Sequence, residues 1–398
     1  MNLLDVFSDV AVKELARVDI PRRGSNQHEI NGTAPLREFF KTEEKVKGPI
    51  KWHYFNDDQE VAFEDGEFTF YDSRLKSTGI TGRTEWRGYY TGDFLSLANP
   101  GDILILARTR KGELHGLLFQ AGSNWLRSAA ILLDLPELSR RYQVLSEKEL
   151  GDKEVELTRQ LILEELGLDV PLTYRQNDED LMMARFGKTI PDTKTMAGFA
   201  REQVKIDPLD ADNALVCWLE RETELFFAIE RVLVQAQLDA NFESVEQFLA
   251  YSISIQQRRK ARRGLSLQHH LEAILTANKI RFQSQARTER KNRPDFLFPG
   301  EKEYQDAAHD VEMLVMLAAK STAKERWRQV LAEADRITEK HLCTLEPGIS
   351  VDQTEEMRRQ NLRLVIPDRL LPTYAPVQHE YLWNLNQFVE FVRRKQQR

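Results

Sequence analysis

Residues 313–319 carry only apolar side chains, and the run stops on Lys320. A short apolar stretch of this kind predicts a buried strand. Upstream, Asp295-Phe296-Leu297-Phe298 predicts another short strand, ended by the turn pair Pro299-Gly300. Downstream, residues 324–341 read as a helix. The second half therefore has to fold around a sheet whose strand ends carry a carboxylate, Asp295, and an amine, Lys320.

The remainder of the chain arranges itself about that feature. Its 398 residues exceed one ordinary domain, and an apolar fraction of 41% is enough to build cores. Residues 1 to about 135 are strand-rich. Positions 61–71 alternate about a turn at Gly66, and 102–119 read as a hairpin through Arg110-Lys111-Gly112-Glu113. Helical spacing follows over 147–168, with Leu150, Leu157, Leu161 and Leu166 on one face. Residues 171–200 are polar, contain Pro191 and Gly198, and predict a linker. Residues 201–398 open with helices over 215–237, 245–255 and 265–278 before reaching the strands.

Several classes are excluded. No apolar stretch reaches the roughly 18 residues of a membrane span, and the start lacks a secretory signal pattern. Cys217 and Cys343 offer neither a disulfide framework nor zinc-ligand spacing. No P-loop, dinucleotide fingerprint or nucleophile elbow occurs. A cytoplasmic protein without a membrane partner is expected. The net charge of -7 speaks against nucleic acid when averaged over the chain, but a nucleic-acid footprint is local. Arg258-Arg259-Lys260-Ala261-Arg262-Arg263 is one basic cluster, and Arg281, Arg287, Arg290, Lys291 and Arg293 form a second. Either alone reads more readily as a solvated face; two runs flanking the same segment bring that reading and a DNA footprint level.

Phosphodiester hydrolysis needs a metal to lower the pKa of the attacking water and to neutralise charge in the transition state. Magnesium takes hard oxygen ligands, and a lysine beside it can orient the nucleophile and stabilise developing charge. Pro294-Asp295 followed by Ala318-Ala319-Lys320 fits the PD-(D/E)xK nuclease pattern with one departure: Ala318 stands where a second acid is expected. Glu333, on the predicted helix after the lysine strand, can supply that acid. The expected site is thus Asp295, Lys320 and Glu333, with Asp295 and Glu333 on Mg2+. A turn proline with a capping aspartate is the plainer alternative for the first pair.

The runs Arg258 to Gly264 with Leu271-Glu272, Arg293-Pro294-Asp295-Phe296-Leu297-Phe298-Pro299 with Tyr304, Lys320 to Leu331 with Glu333-Ala334, and Lys340 to Glu346 together resemble the EcoRII restriction endonucleases. The resemblance covers roughly residues 205–370. Ser321 and Ala323 stand where the family favours Thr and Cys. It implies an α/β restriction-endonuclease-like (PD-(D/E)xK) catalytic domain over 201–398 that cuts double-stranded DNA at a short palindrome with CC and GG ends. Lys324, Glu325 and Arg326 would read bases, since arginine pairs with guanine and glutamate accepts from cytosine. An exposed helix start with Glu325 beside Arg328 is the bland reading. Arg259 and Arg262 are further DNA contacts on this reading. Glu272, Tyr304 and Arg221 are weaker site candidates, and Trp218 is a stacking residue or simply core.

In the N-terminal half, Asn26, Gln27 and His28 sit in a segment rich in base-pairing side chains. Arg74, Lys76, Arg83 and Arg87 bring cations suited to phosphate or bases. These segments and the 102–119 hairpin resemble, more loosely, the effector domain of the same family. That resemblance implies a mostly-β DNA-binding pseudobarrel over 1–170. It also implies a homodimer binding two or more copies of its site, an N-terminal domain that can cover the cleft, and a cognate DNA methyltransferase in the same system. Two other readings stay open: an inactive DNA-binding repressor on a nuclease fold, and a nuclease specific for modified DNA.

Overall fold

Strands in the first half divide their apolar residues between two faces, and this alternation sets the architecture. The computed structural model describes residues 3–21, 28–42, 44–57, 62–74, 84–135, 141–151, 156–166, 175, 177–323 and 326–397. It divides into two compact units, Met1–Pro171 and Leu172–Arg398.

In the first unit, β1 (Phe7–Glu14), β2 (Glu29–Asn31), β3 (Val46–Phe55), β4 (Ala62–Asp72), β5 (Trp86–Tyr90), β6 (Ile103–Thr109), β7 (Leu114–Phe119) and β8 (Gln143–Leu145) form one sheet in the order β2-β5-β4-β3-β7-β6-β1-β8. The sheet is mixed, because β3 and β7 run parallel while β6 and β7 form the expected antiparallel hairpin. Val10, Val12, Ile103, Ile105, Leu117 and Phe119 point into one core. Ala11, Leu104, Leu106 and Leu118, their neighbours in sequence, point into the other, as period-two strands require. Helix α1 (Ala34–Phe40) adds Leu36, Phe39 and Phe40 to the second core. Helices α2 (Asn124–Leu133), α3 (Glu147–Gly151) and α4 (Leu157–Glu165) line the first.

Gly66 does not turn the chain as expected; β4 runs straight through it. A Cβ there would approach Thr91 O at 3.0 Å and Trp52 Nε1 at 3.2 Å. The glycine serves close approach, not reversal.

The second unit opens with α5 (Asp178–Phe186) and α6 (Thr193–Glu202), where a linker was expected. Both pack against α7 (Ala211–Asp239). The correction has a physical basis: Met182, Met196, Phe199 and Ala200 are buried with Leu225, Phe226 and Ile229 of α7. Asp192 caps α6 by accepting from Thr195 N at 2.9 Å. A polar segment with few but correctly spaced apolar residues thus still docks. The two helices expected over 245–255 and 265–278 are one continuous helix, α8 (Val245–Ala277).

Next come β9 (Gln283–Ser284), β10 (Phe296–Phe298), α9 (Glu301–Gln305), β11 (Val315–Lys320), α10 (Trp327–Val330), β12 (Lys340–Thr344), α11 (Val351–Arg359), β13 (Leu362–Val365) and α12 (Leu385–Gln397). Their sheet has the order β13-β12-β11-β10-β9. Strands β11, β12 and β13 are parallel, and β10 is antiparallel to β11.

The N-terminus of α12 is tied to α7 by a buried carboxylate. Asp212 accepts from Leu385 N at 3.1 Å, Asn386 N at 2.8 Å and Asp368 N at 3.2 Å. Asp212→Ala strips three backbone donors of their acceptor and is expected to destabilise the chain by roughly 1–3 kcal/mol, read from urea unfolding. Among the described residues, no helix is long and apolar enough to cross a membrane.

Candidate active site

Asp295 immediately precedes β10, and Lys320 is the last residue of β11. Antiparallel pairing of Phe296 with Leu317 brings the two strand ends together. The Lys320 Nζ donates to Asp295 Oδ2 at 2.9 Å, and the Ala319 N–H donates to the same oxygen at 2.8 Å. The other oxygen, Oδ1, accepts from Gln268 Nε2 of α8 at 2.5 Å and from Gln285 Nε2 at 3.0 Å. A carboxylate that is only 5% exposed is therefore held by four donors, which is what burial of a charge demands. Ala318 lies on the same face of β11 as Lys320 and is fully buried, so the position of the missing acid is filled by a methyl group.

Glu333 completes the cluster from an unexpected element. Residues 324–341 do not form one helix: α10 ends at Val330, and Ala334 adopts a left-handed φ of 51°. The backbone leaves the helix because other loops take its polar groups. Ala332 O accepts from Asn292 Nδ2 at 2.6 Å, Asp335 N donates to Glu289, and Arg336 N donates to Tyr304 Oη at 3.1 Å. The Arg336 side chain adds bonds to the carbonyls of Tyr304, Asp306 and His309. Glu333 therefore sits in a turn, not three turns along a helix.

Its carboxyl is pushed up to about 7, first by burial and then by the charge of Asp295, with Lys320 and Lys340 opposing. Its Oε2 is buried with no hydrogen-bond partner. Lys340 is itself buried, with Nζ donating to Ile337 O at 2.7 Å and Ala334 O at 3.2 Å.

The weaker candidates separate. Glu272 accepts from Ser284 Oγ at 2.6 Å, which ties α8 to β9 close to Gln268. Tyr304 is a buried clamp: its hydroxyl donates to the Glu289 carboxylate and accepts from Arg336 N. Arg221 is buried and paired with Asp178 at 2.7 and 2.8 Å, and with Glu224 at 2.6 Å. Trp218 is buried beside His270 and Arg201. These three make contacts that hold the fold together, the core reading in the case of Trp218.

The same holds for Arg262, which donates to the fully buried Glu222 and lies 4.4 Å from the Phe226 ring centroid. Glu222 also receives His270 at 2.8 Å and Ser266. Because Arg201 donates to His270 Nδ1, the imidazole is neutral with its proton on Nε2. Arg259 is half-exposed and pairs with Glu230 at 2.5 Å. On α8 the inward arginines are spoken for by α7 acids, a pairing that a basic run alone does not reveal.

Of the expected base-reading residues, Lys324 and Glu325 lie outside the described residues. Arg326 is exposed at the start of α10, and Arg328 pairs with Glu356 at 2.9 Å. In the first unit, Asn26, Gln27, Lys76 and Arg83 lie outside the described residues. His28 stands edge-on to Tyr90, 5.4 Å between centroids. Arg74 and Arg87 both bind Glu85 at 2.5 Å, and Arg87 also binds Glu29 at 3.1 Å.

Among the described residues, no group of three or more His, Cys, Asp or Glu side chains is placed to hold a metal. The strongest candidate is the pair Asp295 and Glu333. Sequence reasoning missed Gln268, Gln285 and Lys340; nothing in their local spacing marks them, because each reaches the site from a different element.

The family model described as EcoRII C terminal matches residues 226–389. The type II restriction enzyme EcoRII of Escherichia coli is 38% identical over 200 residues, covering 50% of each chain, so the match spans about half the length of that relative. Two solved structures are also similar. Metal-depleted Ecl18kI in complex with uncleaved DNA has a TM-score of 0.44 at 15% identity, covering 55% of this chain and 83% of that one. The restriction endonuclease PspGI–substrate DNA complex has a TM-score of 0.43 at 14% identity, covering 52% and 93%. The segment holding Asp295, Lys320 and Glu333 lies wholly inside residues 226–389, the part of the chain that is similar to the EcoRII C-terminal family.

Proposed function

We propose that this chain is a type II restriction endonuclease that hydrolyses both strands of DNA at a short palindromic site with the help of Mg2+. The observation that supports this reading is the contact of Lys320 with Asp295 at one end of the β10–β11 pair, near enough to Glu333 for both charges to act on its carboxyl, inside the region similar to the EcoRII C-terminal family.

The residues fit a hard divalent cation. Asp295 and Glu333 offer carboxylate oxygens, the set magnesium takes, and Glu333 Oε2 is a buried oxygen without a donor that a cation would satisfy. When bound, the metal lowers the pKa of the attacking water and offsets charge on the phosphate. The protein's own groups do the rest. Gln268 and Gln285 fix the orientation of Asp295 through Oδ1. Lys320, 22% exposed at its side chain, keeps its ammonium at Oδ2, where it can face both the attacking water and the phosphate. The exposed Arg326, with Lys324 and Glu325, reads base edges in the major groove.

On this reading the PD-(D/E)xK domain works as a homodimer in the cytoplasm alongside a methyltransferase that protects the same site. The first unit, as an effector pseudobarrel, binds further copies of the site and restrains cleavage until it does.

Incubating the pure protein with Mg2+ and unmodified phage DNA is expected to give discrete fragments. Site-specific gel shifts without cutting would instead indicate a repressor, and cutting of modified DNA alone would indicate a nuclease that reads modification.

A further inference from the structure

The segments that leave β11 and β12 start side by side, because the two strands are parallel and Lys320 stands opposite Thr344. The first leads from Lys320 to Arg326, just before α10. The second, residues 345–350, is buried throughout, so its polar groups need fixed partners. Thr344 Oγ1 accepts from Glu346 N at 3.2 Å, and Tyr374 Oη donates to Glu346 O at 2.7 Å. Gln378 Nε2 donates to Ile349 O at 2.9 Å and to Thr354 Oγ1 at 2.8 Å. Ser350 then caps α11 by accepting from Gln353 N at 3.1 Å. The loop after β12 is thereby held along its length.

Glu346 is the acid of that loop, and it is only 3% exposed. Its Oε2 accepts from the Ala323 N–H of the neighbouring segment. Ala323 is itself fully buried, and its carbonyl accepts from Arg326 N at 2.9 Å and Trp327 N at 3.0 Å. Trp327 and Val330 are buried, while Arg326 between Ala323 and Trp327 is exposed. Helix α10 has four residues, too few to hold a direction by its own hydrogen bonds. Its start is therefore set by what grips Ala323. A buried carboxylate is a costly choice of acceptor, but a hydrogen bond to a charged oxygen is shorter and stronger than a neutral one.

We propose that Glu346 is a positioning residue for base recognition: by gripping Ala323 it fixes the point at which Arg326 leaves the surface, and with it the register of Arg326 on the base edges. Arginine reads guanine through two hydrogen bonds of set geometry, which a shift in the start of α10 would break. The part given to Arg326 rests on the endonuclease reading; the grip of Glu346 on Ala323 does not.

The test compares two duplexes, one carrying the palindrome that the wild-type chain selects from a randomised pool, the other with one outer C·G pair changed to T·A. Gel shifts without Mg2+ give the ratio of their dissociation constants. In Glu346→Ala that ratio is expected to fall at least about tenfold, the scale of one lost bidentate contact. Glu346→Gln keeps an acceptor oxygen at the same reach and should retain most of the discrimination. Glu346→Asp, one methylene short, should lose it, and replaces the alanine chain in the comparison if that chain does not fold. Arg326→Ala should also lower the ratio, and combining it with Glu346→Ala should lower it little further, because residues acting as one unit are not additive. Affinity of the DNA-free chain for Mg2+ should not change in any of them, since Asp295 and Glu333 are untouched. Wild-type discrimination in the alanine or aspartate chain, a glutamine chain as impaired as either, losses that add fully, or Mg2+ affinity that falls in step overturns the proposal, as does a wild-type chain that selects no sequence. Cleavage of the selected duplex with Mg2+, assayed separately, decides the endonuclease reading: discrimination without cutting ends that reading and leaves the role of Glu346 standing.

Discussion

A Lys320→Ala chain is expected to cut DNA at least ~10²–10³-fold more slowly, the scale seen when a charge-stabilising donor is removed from a hydrolytic site. The loss should fall mainly on kcat, because the ammonium acts on charge that develops during reaction rather than on ground-state binding. The fold should survive. Asp295 loses one of four donors and keeps Ala319 N, Gln268 and Gln285, so no buried carboxylate is abandoned. Lys320→Arg should not restore the rate, since the planar guanidinium cannot place a compact charge at the same point. Site-specific shifts with the variant would show that DNA binding persists. Cutting at the wild-type rate would remove Lys320 from the active site and with it the pairing on which the assignment stands.

The core of that site was legible because its two main residues sit at ends of short strands with strong local signatures. An apolar run stopped by Lys320 and a Pro-Asp start to Phe296-Leu297-Phe298 both survive as β11 and β10. What could not be read was long-range. The helix expected over residues 324–341 has acceptable helical spacing, yet Asn292, Glu289 and Tyr304 capture its backbone groups. Glu333 reaches the cluster from a turn for that reason. Likewise Gln268 lies on a helix whose pattern reports only its apolar face, while its amide is aimed at Asp295 from outside the sheet.

The basic run on α8 shows the same limit in electrostatic form. Arg258, Arg259 and Arg262 look alike in sequence, but helical geometry turns them to different surroundings. Arg262 is buried on Glu222 and Phe226, Arg259 is half-buried on Glu230, and Arg258 lines a groove beside the 188–193 segment. One cluster thus contains a core ion pair, a rim ion pair and a cation on a groove. In the first unit, strand alternation foretold the β6–β7 hairpin, whereas Gly66 misled because a glycine can serve a turn or a close contact equally well.

Glu333 carries the second large effect, and it is one of pH. In the metal-free chain its carboxyl is held at about 7 by burial, with Asp295 adding to the shift. Coordination needs the carboxylate, so a proton must leave wherever Glu333 is still protonated. Affinity for Mg2+ in the absence of DNA is therefore expected to fall about tenfold per pH unit below ~7 and to level off above it. Calorimetry at pH 7 in buffers of different ionisation enthalpy should register partial proton release.

Stability moves in the opposite direction with pH. The folded-state value lies above the ordinary 4.5, so this group's contribution is fully present below about 4.5 and is lost as pH rises through about 7. The loss amounts to roughly 3 kcal/mol for a shift of this size. Glu333→Gln should abolish that slope, weaken Mg2+ binding and remove its pH dependence. Asp212, pushed up to about 6, adds a slope of its own, so the difference between variant and wild type is the quantity to read. A variant that binds Mg2+ as tightly as wild type, with the same pH profile, would leave Glu333 a buried acid of the fold and return the site to a single carboxylate.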